Sequence, residues 1–126
     1  MHKIMKLLLP FVFLLTSCFP SNQESINGTY YSVPENWCSK NIIIKIFTHK
    51  GQMNYEICVG NEKKEGQLNI IDDDFVYLDF GTFEGTYEND TIIVQNYGNS
   101  LNYYLRFSEC DAKYLFFKKS CTFDKK

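Results

Sequence analysis

The chain has 126 residues, 44% hydrophobic, 17% aromatic and 22% charged, with 13 Lys and Arg against 15 Asp and Glu. That length supports one domain and excludes a two-lobed enzyme with a cleft between lobes. The aromatic content excludes a disordered tail, and a formal charge of −2 argues against electrostatic capture of nucleic acid.

The first 17 residues read as an address. Lys3 and Lys6 stand there with no acid, and the first acidic residue of the chain is Glu24. Residues 7–15 are almost pure hydrocarbon. At about 1.5 Å per helical residue they reach roughly half a bilayer core, which is the reach of a secretory signal and too short for a membrane span. The run ends in Leu15, Thr16, Ser17 and Cys18. This aliphatic–small–small–Cys pattern resembles the lipobox of bacterial lipoproteins. The resemblance implies cleavage before Cys18, alkylation of its thiol by a lipid donor and acylation of its new amine by a chain such as palmitate. At about 0.8 kcal/mol per buried methylene, two or three chains anchor durably where one does not. Phe19, where no Asp stands, implies the outer membrane, facing the periplasm or the cell surface. The expected mature chain has 109 residues, and its 11 Lys and Arg against 15 acids give a charge of −4. Residues 18–27 read as lipidated Cys and tether, and 28–126 as a single domain.

Four cysteines remain: Cys38, Cys58, Cys110 and Cys121. An even number in an exported chain favours disulfides over metal ligation, since no Cys-x-x-Cys occurs and His49 is the only histidine left. Three connectivities are open. A hairpin around residues 49–51 brings Cys38 and Cys58 to one end, which favours Cys38–Cys58 and leaves Cys110–Cys121. The second pair strains geometry, because a strand at 113–118 carries the chain about 20 Å away.

Beyond the tether the sequence alternates like a sheet. Strands are predicted at 28–33, 42–48, 52–59, 67–71, 75–80, 82–87, 91–96, 101–107 and 113–118, with breaks between them, the longest at 34–40 and 60–66. Met53, Tyr55, Ile57 and Val59 share one face, as do Leu101, Tyr103, Leu105 and Phe107. Ile42, Ile43 and Ile44 are apolar on both parities, the mark of a central strand or a partner-facing one. No amphipathic helix is evident. The expected fold is all-β, a small antiparallel barrel or sandwich of about eight to nine short strands.

Chemistry is sparse. His49 falls in a predicted tight turn, Asp72-Asp73-Asp74 lacks the spacing of a calcium loop, and no nucleophile–base constellation or cofactor motif occurs. The reading is a non-enzyme with no cofactor and no metal. The densest run of amides and tyrosines is 95–104, a composition suited to binding loops. It supplies Tyr97, Asn99, Asn102 and Tyr104 as candidate partner-binding residues. Arg106, the only arginine, joins them as a bidentate anchor for a carboxylate, or pairs structurally with Asp79 or Glu84.

Three functions fit this reading. The favoured one is a lipid-anchored binding module for a protein partner, of inhibitor or immunity type; the charge of −4 suits a basic partner. In anchor and strand count the chain resembles the membrane-bound lysozyme inhibitors, small β-barrel lipoproteins with disulfide bonding. That family presents a Ser-Gly-x-x-Tyr-type loop; the nearest stretch here, Gly85-Thr86-Tyr87-Glu88, lacks the Ser, so no site residue carries over. The second is a lipocalin-like pocket for a small apolar ligand, which bulky side chains at the inward positions would fill. The third is a structural envelope lipoprotein.

Overall fold

A computed structural model describes residues 26–98 and 106–120. Nine antiparallel strands form one nearly closed, barrel-shaped sheet. They are β1 (Gly28–Ser32), β2 (Ile42–His49), β3 (Gln52–Val59), β4 (Glu62–Gln67), β5 (Asn69–Asp72), β6 (Val76–Asp79), β7 (Glu84–Glu88), β8 (Thr91–Gln95) and β9 (Tyr114–Lys119). Their order, β4-β3-β2-β1-β9-β8-β7-β6-β5, is an up-and-down meander in which only β1 and β9 pair without being neighbours in sequence.

Nine is an awkward number, since strands alternating in direction close a ring only in even count. Leu68 resolves it. Its N–H donates to the Met53 carbonyl on β3 (2.9 Å), whereas Asn69 registers with Asp79 on β6. The chain thus leaves one neighbour and joins another within two residues. β4 and β5 are one bent strand, and the barrel has eight staves with a notch on either flank of the bend. Residues 62–66 read as a break in the sequence because Glu62, Lys63, Lys64, Glu65 and Gly66 carry no apolar alternation. They form a strand because turn 60–61 folds them back on β3, at an edge where charged side chains are compatible with pairing.

The remaining turns follow their chemistry. Lys50 and Gly51, with φ of 55° and 75°, and Asn89 and Asp90, with 53° and 59°, both make two-residue hairpins of the left-handed type that matches strand twist. Arg106 and Phe107 correct the end of the predicted strand at 101–107: they form an irregular segment pinned to Asn96 just past β8, and residues 99–105 lie outside the described residues.

Inward positions are filled. Tyr30, Ile44, Leu78, Phe80, Ile92, Val94, Leu115 and Phe117 have no exposed surface. Each such side chain contributes about 1.5–3 kcal/mol of burial. Phe80 stacks on Phe83 (4.8 Å), and Tyr55, Phe107 and Phe117 extend the aromatic contacts behind the notch beside β4. Ile42 and Ile44 point in and Ile43 points out, so the triple isoleucine of β2 is a central strand between β1 and β3.

The meander gives the barrel two rims. Ile26 enters at the near rim, with turns 50–51, 73–75 and 89–90. The far rim holds the segment 33–41, turns 60–61 and 80–83, and the described parts of the 96–113 connection.

Candidate functional site

The far rim is built on a disulfide. Cys38 bonds Cys110 across an isolated antiparallel bridge. This corrects the expected Cys38–Cys58 pair. Both cysteines do lie toward the far end of the barrel, but strand parity turns Cys58 outward, where its Sγ lies 3.5 Å from Glu56 Oε2, while Cys110 is buried in the core. Cys58 is a free thiol. The expected Cys110–Cys121 pair falls with it, because Cys110 is bonded to Cys38; Cys121 lies outside the described residues.

Around this bond the chain makes a short ladder. Ser39 N–H donates to the Glu109 carbonyl (2.8 Å), Asp111 N–H to the Trp37 carbonyl (3.1 Å), and Ala112 N–H to the Asn36 carbonyl (3.3 Å). Two fully buried asparagines hold the ladder down. Asn36 acts as a substitute strand for Phe116, giving its Nδ2 to the Phe116 carbonyl (2.9 Å) and accepting the Phe116 N–H (3.0 Å). Asn96 donates to the carbonyls of Cys110 (3.0 Å) and Ala112 (3.1 Å) and accepts the Phe107 N–H (2.8 Å). A buried amide with all of these bonds made is stabilising; with any missing it would be costly.

Trp37 sits at the end of a one-turn 3-10 helix (Pro34–Asn36), with φ 55° and ψ 53°. That left-handed geometry is uncommon for a bulky side chain and costs about 1–3 kcal/mol. Its neighbours enforce it: Asn36 is locked to β9, Cys38 is disulfide-bonded, and the Trp37 N–H donates to the Pro34 carbonyl (3.0 Å). The indole is 70% exposed. It borders an open groove of about 670 Å³ with Ser39, Lys40, Glu109 and Asp111. Sequence reading passed over Trp37, since an isolated aromatic in a break carries no period; its being the only tryptophan was the available signal.

Of the sequence candidates, Tyr97 and Arg106 are at this rim, while Asn99, Asn102 and Tyr104 lie outside the described residues. Gln95 Nε2 donates to the Tyr97 carbonyl (3.1 Å). Arg106 is fixed through its N–H to the Asn96 carbonyl (2.8 Å) and lines two cavities. One, of about 290 Å³, lies in the notch between β4 and Phe107; the other, of about 460 Å³, also holds Asp79 and Glu84, the two acids named as its structural alternatives. Gly85-Thr86-Tyr87-Glu88 is part of β7, not a loop. His49 is exposed at the end of β2, and Asp73 and Asp74 are exposed in the near-rim turn. Cys18 lies outside the described residues, and no described helix is long and apolar enough to cross a membrane.

No family model, curated protein or solved structure matches the chain.

Proposed function

We propose that this chain is a lipid-anchored module of the cell envelope, tethered through Cys18, that holds a basic protein partner against the far rim of its barrel. The observation that carries this reading is the polarity of the molecule. The segment leading to Cys18 joins at the near rim, and the braced loops with the exposed Trp37 and the half-buried Arg106 lie at the opposite one. A module fixed to a membrane by one end meets its partner with the other. The filled interior supports a surface-binding role over a lipocalin-like pocket, because the inward positions that would line such a pocket are occupied by packed Phe, Ile and Leu. A charge of −4 on the expected mature chain suits a basic partner through steering and orientation.

Two measurements test it. Fatty-acid labelling of the full chain in a bacterial host should be lost in Cys18→Ala, which should retain residues 1–17; undiminished labelling removes the anchor. Affinity capture with the full chain should yield a defined basic envelope or secreted protein whose recovery falls at least about tenfold in Trp37→Ala or Arg106→Glu and holds in the near-rim variant Lys50→Glu. Recovery that falls with Lys50→Glu and not with the far-rim changes refutes the orientation.

A further inference from the structure

Trp37, Glu109 and Asp111 share a placement that no sequence motif announces. In the ladder around the disulfide, Asp111 stands opposite Trp37 and Glu109 opposite Ser39, one residue to either side of the Cys38–Cys110 bridge. Alternation sends the two sulfurs toward the core and leaves the residues flanking them on the outer side. The indole and both carboxylates accordingly line one groove. Neither carboxylate is paired with a described lysine or arginine. Lys40 also lines the groove, with its aliphatic stem laid against Gly60 at the turn of the β3–β4 hairpin.

An aromatic face beside two carboxylates that make no ion pair among the described residues is the chemistry that receives a cation with a flat or aliphatic body. The indole is the best of the ring systems for a cation, and a guanidinium both stacks on it and pairs bidentately with a carboxylate. Rigidity matters as much as composition. The disulfide, the Asn36 bonds to Phe116 and the Asn96 bonds to Cys110 and Ala112 hold both sides of the ladder, so little ordering entropy is lost when a ligand arrives. The Trp37 backbone strain belongs to the same arrangement, since it is the left-handed turn that carries the ring to the outer surface.

We infer that this groove is a seat for an arginine or lysine side chain projected by a protein partner, with Trp37 beneath the cation and Glu109 and Asp111 beside it. The inference rests on the proposed binding role and names the chemistry of what is bound. Arginine fits better than lysine, because its planar group uses the ring face and the carboxylates together.

The chain's single tryptophan makes the seat directly observable, since all indole emission comes from Trp37. The full chain in neutral detergent at low ionic strength is titrated with a peptide of alternating Gly and Arg, and with its Gly–Glu counterpart. The expected result is a saturable shift of Trp37 emission with the Arg peptide alone. It weakens in added salt and needs about fivefold more peptide in the double variant Glu109→Gln/Asp111→Asn, while the near-rim variant Asp73→Asn/Asp74→Asn leaves it unchanged. These carboxylates point outward from the ladder, so their amides leave the core untouched. No response to the Arg peptide, an equal response to the Glu peptide, or a response indifferent to the double variant overturns the seat. Failure of the broader reading looks different. If partner capture falls in Arg106→Glu but holds in Glu109→Gln/Asp111→Asn, the seat is wrong and the far-rim reading stands. If the peptide behaves as expected and captured protein is indifferent to every far-rim change, the seat stands and the far-rim reading is wrong.

Discussion

Single side chains carry much of the specificity of this barrel, and Asn96 carries more than most. Its amide serves one donor and two acceptors of the connection that leads to β9. Asn96→Ala leaves those three backbone groups without their partner in a buried site, and the expected cost is about 2–4 kcal/mol, read from the denaturant midpoint. Asn96→Asp should not rescue it, since a carboxylate cannot donate to two carbonyls. At the near rim, Tyr30 closes the barrel beneath the incoming chain, donating its hydroxyl to the Ile26 carbonyl (2.5 Å) and packing edge-on against Tyr87 (6.4 Å). Burial, with Tyr87 and Asp90 close by, pushes its phenol well above the ordinary value of 10. The folded state therefore holds this proton more tightly than the open chain does. The sign follows: stability is unaffected by this group below about pH 10 and falls above it, at up to about 1.4 kcal/mol per pH unit. Tyr30→Phe should lower stability at neutral pH through the lost hydrogen bond and flatten that alkaline decline. Denaturation midpoints measured on both proteins from neutral to strongly alkaline pH give the difference.

Among the elements, the bent strand is the least ordinary. Gly66 faces Tyr55 across the β3–β4 pair, and a Cβ built on it would lie 2.6 Å from Tyr55 Oη and 2.8 Å from Cζ. The ring lies over the glycine and reaches on to Phe80, so it fills the wall where the β4 edge has no described strand beside it. Gly66→Ala should cost about 1–3 kcal/mol by displacing that ring, with a matching change in near-ultraviolet circular dichroism. This element also marks where sequence reading stopped. The run of three isoleucines in β2 marked a strand without telling its faces apart. Tyr55 and Ile57 on β3 and the Lys50-Gly51 and Asn89-Asp90 turns were legible, because period and turn chemistry are local properties. Glu62 to Gly66 were not, because pairing at a sheet edge asks for no apolar face. Trp37 was not, because its placement depends on a partner segment 74 residues later at Asp111. Of the named binding candidates, Tyr97 and Arg106 fall at the rim that also bears Trp37.

At the level of the whole molecule, one junction is non-local. Every strand pair except β1–β9 joins consecutive segments, and β1–β9 rests on three registered pairs. Two braces reinforce it: Asn36 reaches Phe116 across 80 residues, and the disulfide spans 72. Loop-closure entropy makes such a contact slow to form and valuable once locked. Reducing Cys38–Cys110 should cost about 2–4 kcal/mol, read as a lower thermal midpoint with the sheet signature kept below it. Mass mapping of the folded, unreduced chain should return Cys38 and Cys110 in one linked peptide pair and Cys58 alkylated; a Cys38–Cys58 peptide would contradict the ladder. This pairing escaped sequence reading for the reason that makes it useful: it reports the closing of the ring, which no local pattern encodes.

The bend at Leu68 has a bearing on how such a molecule behaves when crowded on a surface. Among the described residues, the two end strands of the sheet, β4 and β5, belong to one stretch from Glu62 to Asp72. A neighbouring copy seeking to extend the sheet at β4 meets Glu62, Lys63, Lys64 and Glu65, and at β5 it meets a strand of only four residues. Growth into a linear polymer would need two long, straight, uncharged margins, and a single kinked segment of mixed charge denies the molecule both.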